Sequence, residues 1–361
     1  MKRAYTNGIL LDGTEQMEPV RGKVLLTEND KITAIADASV SLDGYEVIDL
    51  HGGYLCPGLI NLHVHLAGNG KPSAKPRDNA ALVRKILSNR LTRAIAYQLV
   101  CSYAKLELLG GVTTVRTVGG IADFDTRCRD DSAAGKVLAP RILAANEGIS
   151  VPGGHMAGSV AVAAHNNAEA LAQLRRAGEQ GVDLVKLMIT GGVLDATQKG
   201  TPGELKMKPE MVRAVCDEAH RLGYPVAAHT ESPEGVKVAL ENGVDSIEHG
   251  AKMDEETIRL YKELEEITGM SCGLHHVGGV TLAEHSGVAS GVAALAVATV
   301  PLFTLLFGFF WGARNTRLEW AGIVLGLIGI GMLNLGSNLQ ASPLGAAMIL
   351  FAAAAWAFGS V

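Results

Sequence analysis

A chain of 361 residues with a formal net charge of −5 and no basic block lacks the electrostatic footprint of a nucleic-acid binder, and its length calls for one large or two moderate domains. The average hides a split. Of 32 Lys and Arg and 37 Asp and Glu residues, only Glu284, Arg314, Arg317 and Glu319 follow Gly279, so an acidic front is joined to a nearly uncharged tail. Five cysteines (Cys56, Cys101, Cys128, Cys216 and Cys272) form no CxxC pair, and "MKRAYTNGILLDG" lacks the apolar core of a signal peptide, which predicts a cytoplasmic front.

From Lys2 to about Leu50 the pattern is short strands and turns. "GKVLLT" and "KITAIA" flank the polar "ENDK", as the two arms of a hairpin do, and predict a small β domain. From "GGYLCPGLINLHVH" onward, apolar runs of strand length alternate with amphipathic helices. "TTVRTV" (113–118) follows "YQLVCSYAKLELLGG", "LVKLMIT" (184–190) follows "NAEALAQLRRAGEQG", "PVAAHT" (225–230) follows "KPEMVRAVCDEAHRLG", and "SIEHGA" (246–251) follows "SPEGVKVALENG". Buried strands alternating with helices imply a parallel sheet, and this many repeats predict an α/β fold of the (β/α)8 barrel type. Pro209 and Gly223 bracket one helix with the usual start and stop residues.

Candidate ligands stand at or near the C-terminal ends of these strands, where barrel enzymes place their sites. They are His63 and His65 in "NLHVHLAG", Lys186 in "LVKLMITGG", His229 in "AAHTES" and His249 in "SIEHGA". Residues two apart share a strand face, so His63 and His65 can grip one cation while His229 and His249 approach from two further strands. Lys186 carries a severe desolvation penalty in an apolar strand unless paired or neutralised, and carboxylation of its amine would make it an anion able to bridge two metals. Singly, each has a plainer reading: an exposed HxH pair, a snorkelling lysine, or core histidines. Their joint placement at successive strand ends favours a metal site.

The stretches "PGLINLHVH", "GGVTTVRTVGG", "GGHMAG", "VKLMITGG", "VAAHTES" and "DSIEHGA" resemble the amidohydrolase superfamily, in its imidazolonepropionase-like and Xaa-Pro dipeptidase-like branch, over about residues 1–262. That resemblance implies a metal-dependent hydrolase of C–N bonds in cyclic amides or dipeptides. His63 and His65 would hold the more buried ion, carboxylated Lys186 would bridge two zinc ions, His229 and His249 would hold the second, and His155 would contact substrate. Asn61 stands where the family more often has Asp. The resemblance also requires an aspartate at the end of the eighth strand, and no residue here fills that place. Six strand units are expected, the barrel is incomplete, and hydrolysis is expected to be impaired, with the proton-moving catalytic residue unknown.

After the helix-like "DEETIRLYKELEEIT" (254–268), charge disappears. "GVASGVAALAVATVPLFTLLFGFFW" (287–311) has 25 uncharged residues, enough for a membrane helix, and "WAGIVLGLIGIGMLNL" (320–335) and "LGAAMILFAAAAWAFGSV" (344–361) predict two more spans. From about Gly279, "VTLAEHSGVASGVAALAVATVPLFTLLF", "RLEWAGIVLGLIGIGMLN" and "WAFGSV" resemble the EamA family of drug/metabolite transporters, particularly its YedA-like members. About three helices of such a transporter imply a lipid-embedded tail in the inner membrane rather than a transport path. Arg314 and Arg317 mark the 312–319 loop as cytoplasmic, which places the front opposite to where its cysteines fit. The expected organisation is therefore a small β domain (1–52), a truncated barrel (53–268), a junction (269–286) and a transmembrane transporter fragment (287–361). The alternatives to a hydrolase are a membrane-inserted transporter fragment and a chimera with no function as a unit.

Overall fold

A computed structural model describes residues 1–14, 17–68, 78–192, 203–251, 253–268 and 271–273. The three expected membrane spans, and His275 and His276 of the expected junction, lie outside these residues. Among the described residues, no helix is long and apolar enough to cross a membrane.

The N-terminal part folds as β1 (Lys2–Thr6), β2 (Ile9–Leu10), β3 (Lys23–Glu28), β4 (Lys31–Asp37), β5 (Glu46–Asp49) and β6 (Tyr54–Leu55). β3 and β4 form the expected antiparallel hairpin across Asn29–Asp30, where Asn29 takes the left-handed φ of 57° that a tight turn demands and that Asn tolerates. The sheet order is β4-β3-β1-β5, and Ala4, Val24 and Leu26 bury one face of it. β2 pairs with β6 beside this sheet.

The α/β part continues with β7 (Leu59–Val64), α1 (Asn79–Leu87), α2 (Arg90–Leu109), β8 (Val112–Thr117), α3 (Phe124–Ala133), β9 (Arg141–Leu143), β10 (Gly148–Ser150), β11 (Ala161–Ala163), α4 (Asn167–Glu179), β12 (Val185–Met188), α5 (Pro209–Arg221), β13 (Val226–Thr230), α6 (Pro233–Glu241), β14 (Ser246–His249), α7 (Glu255–Thr268) and β15 (Ser271–Gly273). Its strands lie in two all-parallel sheets, β7-β8-β9 and β11-β10-β12-β13-β14-β15. Only residues 144–147 separate β9 from β10, so one interrupted chain path joins the two sheets. Every residue of β12 and β13 is buried, as strands covered on both faces must be. The helices bury one stripe each against them: Met211, Val212, Val215, Cys216 and Ala219 on α5 are an example. Asn89, Asn166 and Ser232 cap their helices by accepting from the backbone N–H three residues further on, and Pro209 and Pro233 occupy first-turn positions that need no N–H.

The structure corrects the expected strand count. Ser271–Gly273, inside the stretch expected to be a junction, forms a strand parallel to β14, with Ile247 opposite Cys272. Its apolar signal is only three residues long, too short to show periodicity, and α7 in front of it supplies the missing context. With β9 and β10 taken as one strand, the arc from β7 to β15 has seven barrel positions instead of six. On β7, Leu59, Ile60 and Leu62 remain exposed, which makes this outer strand a hazard for edge-to-edge association.

Asp125 at the start of α3 is fully buried, and among the described residues neither carboxylate oxygen has a hydrogen-bond partner of good geometry. Burial pushes its carboxyl up to about 6, with the Thr117 hydroxyl acting weakly in the other direction. The folded state therefore holds the proton more tightly than the unfolded chain, whose carboxyl has the ordinary value of 3.8. The contribution is complete below that value and is lost as pH rises through 6. The stability of the parent chain relative to an Asp125→Asn variant should fall by about 2 kcal/mol between pH 4 and pH 7, read from urea denaturation at each pH.

Candidate metal centre

The strand ends bring the expected histidines together. The ring centroids of His63 and His65 are 5.2 Å apart, those of His63 and His249 4.7 Å, and those of His229 and His249 4.7 Å. His155, in the loop after β10, stacks on His229 with centroids 4.0 Å apart and planes within 10°. Lys186 in β12 is 1% exposed, and its Nζ has no hydrogen-bond partner among the described residues. All six expected residues therefore belong to one neighbourhood at the C-terminal mouth of the sheet.

Local backbone geometry makes this possible. His63 and His65 share a face through the two-residue period of an extended chain. Glu248 and His249 are consecutive and should point to opposite faces, yet both approach His63. The left-handed φ of 67° at His249 breaks the alternation and turns its ring back toward the other imidazoles. Such a conformation in a non-glycine residue costs on the order of 1–3 kcal/mol, and it persists here because β13 and α7 hold the surrounding chain.

Burial also sets the protonation states. It lowers His65 to about 4, against the opposing hydrogen bond to Gly119. Burial, followed by Lys186 and His63, lowers His249 to about 3, and His229 lies well below the ordinary histidine value because of burial and His155. All three are neutral at pH 7, the state in which an imidazole donates a lone pair. The Gly119 carbonyl lies 2.9 Å from His65 Nδ1 and accepts its N–H, which leaves Nε2 free to bind. Lys186 is pushed down to about 7 by burial, with Glu248 resisting.

Two residues escaped the sequence reading. Glu248 is fully buried, and its Oε2 lies 2.6 Å from His63 Nδ1. Its Oε1 accepts from the Arg116 guanidinium, which also donates to the Leu62 carbonyl at 2.7 Å and to Ser246 Oγ at 3.0 Å. Burial works to raise the Glu248 carboxyl, but Lys186, the His63 hydrogen bond and Arg116 outweigh it and hold it at about 2. An ionised carboxylate therefore fixes the His63 tautomer, and an arginine reaching across the sheet from β8 fixes the carboxylate. The available sequence signal was a charged residue on each of two strands, "TTVRTV" and "SIEH", of opposite sign and therefore able to pair.

Gly192 is the third missed position. A Cβ there would lie 2.5 Å from the His155 ring and 3.2 Å from His229 Nε2. Gly192→Ala should displace the stacked pair, destabilise the fold by about 1–3 kcal/mol in urea denaturation, and weaken metal binding about tenfold in chelator competition.

The amidohydrolase family profile matches residues 54–298, about two thirds of the chain. The chain belongs to the amidohydrolase family. Ochratoxinase from Aspergillus niger is 24% identical over 290 residues, which is 71% of this chain and 56% of the fungal protein. A solved amidohydrolase structure matches with a TM-score of 0.61 at 25% identity, covering 73% of this chain and 64% of the other. The fold also resembles a Xaa-Pro dipeptidase crystallised with methionine in its active site, with a TM-score of 0.61, 22% identity and coverage of 97% and 89%. Separately, the inner membrane transporter YedA of Escherichia coli (strain K12), itself uncharacterised, is 57% identical over 84 residues, 23% of this chain and 28% of the transporter. The chain thus spans little more than half of the ochratoxinase and under a third of the transporter. The amidohydrolase match runs past β15 into the stretch expected to begin the tail.

Proposed function

We propose that the barrel is a metal-dependent hydrolase of amide C–N bonds in small molecules, either cyclic amides or dipeptide-like compounds. The observation that carries this reading is the convergence of four imidazoles at the strand ends, with the buried amine of Lys186 near enough to act electrostatically on His65, His229 and His249. The donor set fits a divalent ion: His65, His229 and His249 are held neutral, His63 and His65 each have Nδ1 engaged by an acceptor, and the buried Lys186 amine has no hydrogen-bond partner among the described residues. His63 and His65 would hold one ion and His229 and His249 a second, with zinc the metal that suits nitrogen donors best. Such ions would supply Lewis acidity, polarising a carbonyl and making water nucleophilic near neutral pH.

Lys186 contributes through its depressed basicity. A neutral amine can add to carbon dioxide, forming an N–C bond and releasing one proton, and the resulting carbamate would be an anion beside the histidines able to help hold the ions. His155, stacked on His229 at the mouth, is positioned to orient a substrate carbonyl or carboxylate. The likeness to ochratoxinase and to a Xaa-Pro dipeptidase supports an amide bond as the target. We further infer that turnover is slow. The eighth-strand aspartate, expected to move the proton from water to the leaving group, has no counterpart in the sequence after β14.

Elemental analysis of the full chain, purified in mild detergent and equilibrated with zinc, tests this proposal. Bound zinc is expected, together with slow hydrolysis of Xaa-Pro dipeptides or N-acyl amino acids. Hydrolysis should disappear, and at least one zinc equivalent should be lost, when His63 and His65 are replaced by asparagine. A metal content unchanged by that double substitution would overturn the reading.

A second reading concerns residues 287–361 alone, and the 57% identity to YedA supports it. We propose that this tail inserts in the membrane as an EamA-like fragment without a transport path of its own. Recovery of the expressed chain entirely in the soluble fraction after cell lysis would overturn this.

A further inference from the structure

His229 and Glu231 are two apart at the end of β13, on one face of an extended segment, and His249 ends the adjacent strand. One donor atom from each lies within 4.8 Å of the other two. The Glu231 carboxylate approaches His229 Nε2 to 3.8 Å, with the side chain 18% exposed. Its backbone is pinned, because the Glu231 N–H donates to Thr190 Oγ1 at 3.0 Å. His229 Nε2 also faces the Gly191 carbonyl at 3.3 Å, so this nitrogen carries the proton and Nδ1 keeps the lone pair. Two ligand atoms about 2.1 Å from a tetrahedral zinc are separated by about 3.4 Å, so a shift of roughly an ångström brings these three donors to bonding distance.

We propose that Glu231 is a metal ligand, the carboxylate that completes a two-histidine, one-carboxylate set with His229 and His249. The assignment rests on the metal-dependent reading above and deepens it. Beside the Lys186 carbamate, a carboxylate on the two neutral imidazoles of His229 and His249 would further offset a dication's charge in a half-buried mouth, and two histidines with one carboxylate form a donor set used by zinc hydrolases. Glu231 lies one residue past the end of the strand that already bears His229, so no further strand is needed to place it. Nothing in its position makes it a proton carrier.

The test compares the parent chain with Glu231→Gln and Glu231→Asp variants, all full length, by zinc titration against a chromogenic chelator and by thermal unfolding of the metal-free forms. The expected result is loss of one zinc equivalent, or weakening of that equivalent by about 100-fold, in Glu231→Gln. Glu231→Asp, which keeps a carboxylate, should lose less, and the metal-free forms should unfold at the parent temperature. Parent-like zinc binding by Glu231→Gln, or equal losses in the two variants, would overturn the assignment while leaving the histidine site standing. Metal loss that tracks lowered stability of both metal-free variants would make Glu231 structural and also overturn it. A parent chain that binds no zinc would remove the broader reading and this one together.

Discussion

A Glu248→Gln chain is expected to unfold about 3–5 kcal/mol more easily than the parent, because removing one member of a buried ion pair strands the other charge in a medium that solvates it poorly. Glu248 has no solvent exposure, and its partner Arg116 reaches across from β8 to bond it, the Leu62 carbonyl and Ser246. The variant keeps the shape and loses the charge. Urea denaturation of the metal-free protein gives the number. A paired replacement, Glu248→Leu with Arg116→Met, should recover most of the loss, since an apolar pair of similar volume carries no stranded charge. The two variants separate electrostatics from packing: if the paired replacement is as unstable as Glu248→Gln, the network acts through shape alone. The single variant should also bind zinc about 10–100-fold more weakly, because the hydrogen bond from His63 Nδ1–H would fall on an amide instead of a carboxylate.

Lys186→Met is expected to move stability and function in opposite directions. The buried amine has no hydrogen-bond partner among the described residues, and burial already pushes it down to about 7, so the fold gains little from it in the metal-free state. Methionine has similar length and fills the same space without a polar atom. The metal-free variant should be as stable as the parent, or more stable by about 1–4 kcal/mol. Its zinc affinity should fall by about 100-fold or more, and hydrolysis should fall below detection. Loss of stability without loss of zinc would mean that the lysine is a structural residue.

The strand-end histidines were legible in the sequence because their spacing carries the geometry. A two-residue interval fixes a shared face, and a strand-helix-strand rhythm fixes which ends come together. Lys186 was legible because a charge inside "LVKLMIT" has no bland explanation once the strand is buried on both faces, as β12 is. The Glu248–Arg116 pair was hidden by distance, since 132 positions separate two residues that meet only when the sheet curls. The φ of 67° at His249 has no clear sequence signature beyond the following Gly250, and without it the 248–249 alternation argues against a shared face. β15 was missed because three residues after an acidic helix do not announce a strand. Its existence follows from α7 returning the chain to the β14 edge.

The central claim is that the imidazoles of His63, His65, His229 and His249 enclose divalent ions together with Lys186. Anomalous diffraction from crystals of the zinc-loaded full chain, recorded on both sides of the zinc edge, addresses it directly. The account predicts strong peaks inside that ring of side chains, within about 2.0–2.2 Å of histidine nitrogens. Zinc located only elsewhere, for example at His275 and His276, with no peak among those four rings, would contradict it.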